Sequence, residues 1–144
     1  MSSDLKHWER YEGNPVLVNG PSGALDEYFA SEACVMRITC LRVTHRRGGV
    51  WVMFYFGVNQ SGRARELVAF SDDLLQWQKH PEPLIDIGPE GTFDSIHAHK
   101  PSVIMKDGIL YHFYCSVGPR SGQEGRPWPY NEHPAIAVAT SWPL

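Results

Sequence analysis

The sequence has few of the features that direct a protein to a membrane or to nucleic acid. No stretch approaches the ~18 consecutive apolar residues of a membrane-spanning helix, and the first residues, MSSDLKHWERYEG, lack the basic-then-apolar order of a signal peptide. Basic charge is scarce, because 13 Lys and Arg stand against 16 Asp and Glu, for a net charge of −3. We therefore expect no membrane and no nucleic acid among the partners.

Cysteine is also scarce, with three in 144 residues. Cys34 and Cys40 would lie ~20 Å apart along one extended strand, too far for a disulfide. Without an export signal, we expect three reduced, buried thiols in a cytoplasmic protein. The basic residues within 42–47 form a short cluster that is typical of a solvated hairpin loop.

Glycine and proline, in contrast, are plentiful, at 13 and 11 residues. This content favours many turns between short elements over long helices. The length of 144 residues is that of one domain, which we expect to span residues 1–144.

One part of the sequence occurs twice. GPSGALDEYFASEACV (20–35) matches GPEGTFDSIHAHKPSV (88–103), and GGVWVMFYFGV (48–58) matches DGILYHFYCSV (107–117). LVAFS (67–71) then matches AVATS (137–141), and DLKHW (4–8) matches DLLQW (73–77). Matches in this order predict an internal repeat, with one unit at about 4–71 and the second at about 72–141.

Each unit has the pattern of an all-β structure. VWVMFYFGV (50–58) is apolar at both alternating sets of positions, which predicts a strand in a sheet covered on both faces. We expect strands near 33–38, 50–58, 65–71 and 76–85, and again near 101–106, 109–117 and 134–141. Four-stranded sheets around an axis form a β-propeller, so we predict a partial propeller of two four-stranded antiparallel blades. The alternative is a β-sandwich of two similar sheets.

The predicted blades do not have the same number of strands. The second unit reaches Leu144 before its fourth strand, whereas a strand of that type is predicted at 7–17. An N-terminal strand can complete a blade of its own chain or of a neighbouring one. We expect either a homo-oligomer (a dimer or trimer through blade edges) or an open fragment that pairs its exposed edges.

Several phrases resemble a known superfamily. NPVL (14–17), FSDDLLQW (70–77) and KPSVI (100–104) followed by DGILYHFY (107–114) are similar to motifs of the five-bladed β-propeller glycoside hydrolases. These are family 43 and the related families 32, 117 and 130, and the chain matches about the C-terminal half of their propeller. The resemblance implies a glycosidase-like protein whose acidic residues stand at or just before the innermost strand of each blade. In this chain that location is 26–33 and 94–101.

The resemblance also implies which residues do the chemistry. Glu32 stands where the family has the Asp of an Asp-Pro pair, and His99 stands two positions before Pro101, where the family often has an acid. A histidine can replace a carboxylic acid as proton donor. The implied donor is therefore His99 or Glu32, and the implied partner carboxylate is Asp94 or Asp26.

The acidic candidates also have structural interpretations. Asp26 and Asp94 end the same turn in both copies, which favours carboxylates that bind backbone amides of the turn. Glu32 is as well suited to pair with Lys100 or an arginine as to do chemistry. The catalytic and structural interpretations stay open at this point.

The positions that differ between the copies are the best candidates for binding. Phe29, Ser31 and Glu32 become residues with basic side chains in the second copy, namely His97, His99 and Lys100. We interpret these as sugar-hydroxyl binders and an anion holder, or alternatively as a hydrogen-bond network of the channel wall. Metal ligation by the histidines is a third interpretation, but no spaced partner pair appears, so we predict no metal and no cofactor.

Other aromatic and histidine residues have two interpretations each. Trp128 and Tyr130, in the Gly- and Pro-rich stretch 118–134, form either a sugar-stacking platform or anchors of a loop. Trp8 and Trp77 are predicted core residues, and His112 is predicted to be buried and hydrogen-bonded. The sequence as a whole predicts a protein that acts on or binds a carbohydrate, with a non-catalytic binding or structural module as the alternative.

Overall fold

A computed structural model describes residues 4–39 and 48–142. These residues contain no helix and fold into strands, whose bounds are β1 (Phe29–Ile38), β2 (Val50–Val58), β3 (Ala64–Ser71), β4 (Gln78–Lys79), β5 (His97–Lys106), β6 (Ile109–Pro119) and β7 (Glu132–Thr140). Two antiparallel sheets result, with strand orders β1-β2-β3-β4 and β5-β6-β7. The predicted all-β fold is confirmed, and the sheets of four and three strands are consistent with a partial propeller.

The central strand β2 is buried on both faces, as its sequence predicts. Val52 and Phe54 pack in a cluster with Val103 of β5, so one face of the first sheet lies against the second sheet. Met53 and Tyr55 belong to a separate cluster on the opposite face. Leu17, Leu25 and Trp77 cover that face, and segments outside the ladder therefore complete the core.

Two turns with matching sequences have matching geometry. Leu5 and Leu74 both have positive φ, at 59° and 70°, and each accepts a hydrogen bond from a tryptophan Nε1 three residues later. Asp4 Oδ1 accepts from the two amides that follow the leucine, and Asp73 Oδ1 does the same in its own turn. The two turns therefore share their hydrogen bonds as well as their sequence pattern.

The predicted outer strands are shorter than expected. The segment predicted as a strand at 76–85 forms a ladder only at Gln78–Lys79, with one further bridge between Ile85 and Glu66. Pro81 and Pro83 lie between these two pairings and have no N–H to donate to a ladder. The segment at 7–17 pairs with none of the described strands, so that strand prediction was wrong for the residues described.

Trp8, which was predicted to lie in the core, is 71% exposed, so that prediction was wrong too, although Trp77 is packed as expected. Cys34 and Cys115 are free but half-buried rather than fully buried. Cys40 and the basic cluster at 42–47 lie outside the described residues. The described ranges hold no helix of the length and apolarity needed to cross a bilayer.

Candidate functional site

The beginnings of the two inner strands, β1 and β5, carry the residues that the sequence singled out. Phe29 opens β1 opposite Val58, and His97 opens β5 opposite Val117. Both strands begin at the same end of their sheets, where β2 and β6 finish. β5 also contacts β1, β2 and β3, so the start of the second sheet lies against the first.

A β-bulge distorts each inner strand a few residues after its start. The register shifts between Ser31 and Cys34 in β1, and between His99 and Ser102 in β5. Glu32 and Lys100 sit in these bulges with positive φ values of 50° and 66°. Residues other than glycine adopt this conformation at a cost of about 1–3 kcal/mol, and bulges of this kind re-aim side chains.

The two bulge residues approach each other. Lys100 Nζ lies 3.9 Å from Glu32 Oε1, and both side chains are about half exposed, at 52% and 49%. Exposed ion pairs of this kind contribute little to stability because water and salt screen them. The pair therefore leaves both charged groups available to a ligand.

The two histidines are held by backbone groups. His97 Nδ1 accepts a hydrogen bond of 3.1 Å from the Ala64 amide of β3, which joins the two sheets. His99 Nδ1 lies 3.0 Å from the Cys115 carbonyl oxygen, which only accepts, so this Nδ1 carries a proton and donates. The rings lie side by side, with centroids 5.6 Å apart, and Phe56 meets the His99 ring edge-on.

Burial lowers the pKa of both histidines. For His97 the next causes are the neighbouring His99 and Arg63, which disfavour a positive charge. For His99 the bond to Cys115 opposes the lowering of the pKa, Lys100 adds to it, and the carboxylates of Glu32 and Glu132 oppose it. Both rings are therefore neutral at neutral pH.

Two charged neighbours of the histidines were missed by sequence reasoning. Arg63, in the turn before β3, donates from Nη1 to the Ser95 carbonyl at 3.4 Å and acts electrostatically on His97. Glu132, the first residue of β7, acts electrostatically on His99. Neither residue belongs to the segments that match between the two copies, so no sequence signal identifies them before the sheets are assembled.

Asp26 and Asp94 occupy matching buried positions, at 2% and 8% exposure. The hydroxyl of Tyr55 donates to Asp26 Oδ2 at 3.3 Å, and that of Tyr114 donates to Asp94 Oδ2 at 3.0 Å. Burial is the main reason that the pKa of Tyr114 rises to about 12, and Asp94 adds to it. Burial likewise raises the pKa of Tyr55, with Asp26 as the second cause.

Further contacts tie these carboxylates to the turns. Asp26 accepts from the Gly20 amide at 3.2 Å and from Lys79 Nζ, while Asp94 accepts from Thr92 Oγ1 at 3.2 Å. A Cβ at Gly20 would lie only 2.6 Å from Asp26 Oδ1, so glycine is required beside the carboxylate. These contacts favour the structural interpretation of both aspartates. Within the described residues, neither aspartate contacts Glu32 or His99 through a hydrogen bond or ion pair.

A buried carboxylate–histidine pair lies between the sheets. Glu66 of β3 is 0% exposed, and its Oε2 lies 3.4 Å from His112 Nε2. Neither side chain has a hydrogen-bond partner in the described residues, so His112 is buried as predicted but not hydrogen-bonded. Burial raises the pKa of Glu66, and His112 offsets part of that rise. A largely apolar cavity of about 200 Å³ borders His112.

Trp128 and Tyr130 lie in the connection from β6 to β7, at the end of the second sheet where β5 begins. They are 73% and 58% exposed. Within the described ranges, no hydrogen bond, ion pair or ring contact joins either side chain to His97 or His99. No group of three potential ligands in the described part of the chain is arranged to hold a metal ion.

Two solved structures have the same fold over the whole of this chain. One is described as "Glycoside hydrolase" and the other as a complex named for BT0996 and RGII, and each is 34% identical with a TM-score of 0.67. Each similarity covers all of this protein and 35% of the other one, so the chain spans about a third of their length. No protein-family model and no curated protein matches the sequence. The chain thus has a glycoside hydrolase-like fold, which supports a carbohydrate-related function in general.

Proposed function

We propose that this is a glycosidase-like protein that binds or acts on a carbohydrate at the beginnings of β1 and β5. The observation that carries the proposal is the group formed by Glu32, Lys100, His97 and His99, on a fold similar to that of a glycoside hydrolase. Its members hold charges or hydrogen-bonding atoms at a partly open surface. Such a surface suits a ligand that consists mostly of hydroxyl groups.

The geometry supports Glu32 rather than His99 as the proton donor. In its neutral form His99 keeps its one proton on Nδ1, which donates to Cys115, so Nε2 has none to give. Glu32 is about half exposed and pairs loosely with Lys100 at 3.9 Å. We propose Glu32 as the acid, with His97, His99 and Lys100 as groups that hold the sugar.

A non-catalytic binding module is the second candidate, and the aspartates favour it. Most glycoside hydrolases use two carboxyl groups that lie on either side of the scissile bond. Asp26 and Asp94 are buried and bonded to tyrosines, which leaves Glu32 without an open partner among the proposed catalytic residues. Glu132 is the other carboxylate that acts electrostatically on His99.

The test is a panel of aryl glycosides that release a chromophore on cleavage. Turnover by the wild type that is abolished in Glu32→Gln, but kept in Glu82→Gln, supports an enzyme. Glu82 is a matched control because it is an exposed glutamate outside the site. Sugar binding without turnover supports the binding module, and neither binding nor turnover on the whole panel contradicts both.

We also propose that copies of the chain associate through the edge of the second sheet. β7 pairs with β6 alone among the described strands, and its residues Ile136 and Val138 are 77% and 51% exposed. Exposed apolar residues on a strand edge favour pairing with another chain. Trp8, at 71% exposure, belongs to a turn that matches the turn before β4, so the same segment is suited to an outer-strand position.

A further inference from the structure

The outward nitrogens of His97 and His99 have opposite hydrogen-bonding character. Both rings are fixed through Nδ1, one as an acceptor and the other as a donor. Neither Nε2 has a hydrogen-bond partner among the residues that the structure describes, and neither is counted among the buried polar atoms. The two free nitrogens therefore face the surface in a defined state.

The state of His97 follows from the Ala64 amide. A backbone N–H can only donate, so the Nδ1 that receives it has a lone pair and no proton. A neutral imidazole has one proton, which must then be on Nε2. His97 presents an N–H donor to the surface.

The state of His99 follows from the Cys115 carbonyl by the same logic. A carbonyl oxygen can only accept, so Nδ1 of His99 carries the proton. In the neutral ring Nε2 then has only a lone pair. His99 presents an acceptor on a ring whose centroid lies 5.6 Å from that of the His97 ring.

We propose that His97 and His99 together recognise an unmodified sugar hydroxyl, which accepts from His97 Nε2–H and donates to His99 Nε2. A hydroxyl group both donates and accepts through one oxygen. A methyl ether or a carboxylate can satisfy His97 but has no proton for His99. An ammonium group can satisfy His99 but not His97. The pair thus selects a neutral hydroxyl at one position of the ligand. This inference rests on the proposed carbohydrate function.

The first test reads the tautomers directly. Nitrogen-15 chemical shifts of the histidine rings, measured at pH 8, should show the proton on Nε2 of His97 and on Nδ1 of His99. The same tautomer in both rings would overturn the proposal. This measurement needs no ligand and no turnover.

The second test uses paired substitutions that keep the hydrogen bond made through Nδ1 and remove the one proposed for Nε2. His97→Asn retains an oxygen for the Ala64 amide, and His99→Asn retains an N–H for the Cys115 carbonyl, but both lack an atom at the Nε2 position. His97→Gln and His99→Gln instead restore a polar atom near Nε2. We expect the Asn variants to bind about tenfold more weakly and the Gln variants to recover part of that loss.

The probes are the methyl glycosides of glucose, galactose, mannose, xylose and arabinose, followed by monodeoxy and mono-O-methyl analogues of whichever binds. Removal or methylation of one hydroxyl should weaken binding to the wild type about tenfold and should change binding to the two Asn variants little. Binding that tolerates every such change equally would overturn the hydroxyl assignment while leaving the proposed function intact. If no probe binds the wild type, the proposed function and this assignment both fail.

Discussion

Lys100 Nζ lies 3.9 Å from Glu32 Oε1, although the two residues occupy the same position in two matching segments of sequence. Both also have positive φ in a bulge of their own strand. Two residues of the same charge at these positions would repel one another. The opposite charges therefore join the two inner strands at the candidate site while both backbones remain strained.

The strain predicts that Lys100→Gly is at least as stable as the wild type. Glycine adopts a φ of 66° without the steric cost that lysine meets, and we expect a gain of up to about 1 kcal/mol in the free energy of unfolding. Urea denaturation measures this gain. Sugar binding should weaken in the same variant because the ammonium group is lost.

Lys106→Gly is the matched control for that prediction. Lys106 is an exposed lysine at the end of the same strand, and its φ is not positive. Glycine there should destabilise by about 0.5–1 kcal/mol. Equal destabilisation by both substitutions would show that the bulge at Lys100 stores no strain.

The aspartate–tyrosine bond predicts a loss of stability in Tyr114→Phe and in Asp94→Ala. Each removes one partner of a buried hydrogen bond of 3.0 Å, and we expect each to cost about 1–3 kcal/mol. The double variant should lose less stability than the sum of the two single losses, because both single variants lose the same hydrogen bond. A strictly additive double variant would argue that the hydroxyl and the carboxylate do not interact, and would reopen a catalytic role for Asp94.

The buried Glu66 predicts that Glu66→Gln gains stability relative to the wild type as the pH rises. Burial raises the pKa of this carboxyl in the folded chain above its unfolded value of about 4.5. The wild type is therefore fully stabilised below that value and loses stability as the pH rises through the folded pKa. A glutamine of the same shape has no proton to lose, so the difference should grow between pH 5 and pH 8.

Chemical denaturation at several pH values measures that difference, with Glu82→Gln as the exposed control. A Glu66→Gln variant that is less stable by the same amount at every pH would mean that the contact of 3.4 Å with His112 outweighs the burial of the carboxylate.

The histidine pair predicts that stability and sugar binding both fall in acid. The pKa values of His97 and His99 are lowered in the folded chain, so their contribution is present above the unfolded value of about 6.5 and is lost as the pH falls through the folded values. Protonated His97 can no longer accept from the Ala64 amide, and protonated His99 can no longer accept through Nε2.

Charged neighbours shift the midpoint of this response: Arg63 lowers the pKa of His97, while Lys100 lowers and Glu32 and Glu132 raise the pKa of His99. Ring-proton shifts followed by NMR between pH 4 and pH 8 give both pKa values. Midpoints at or above 6.5 would contradict the prediction.

The sequence predicted the strands that are apolar on both faces, because burial on two sides leaves a pattern that does not depend on the partner. It missed the shortening of the outer strand to Gln78–Lys79. That shortening depends on where Pro81 and Pro83 lie relative to β3. It singled out His97, His99 and Lys100 as candidate binding residues from the differences between two copies. It could not reveal the tautomers, the positive φ of Lys100 or the electrostatic effect of Glu132 on His99, because each depends on how the assembled strands contact one another.

The exposed edge of β7 predicts association in solution. Light scattering at several concentrations should give the mass of a dimer or trimer, because Ile136 is 77% exposed on a strand that pairs on one side in the described residues. Ile136→Lys puts a charge on that edge and should shift the mass toward the monomer. Leu75→Lys, at an exposed leucine in the turn before β4, should leave it unchanged. A wild type that is monomeric at every concentration would contradict association through this edge, and equal effects of the two substitutions would place the contact elsewhere.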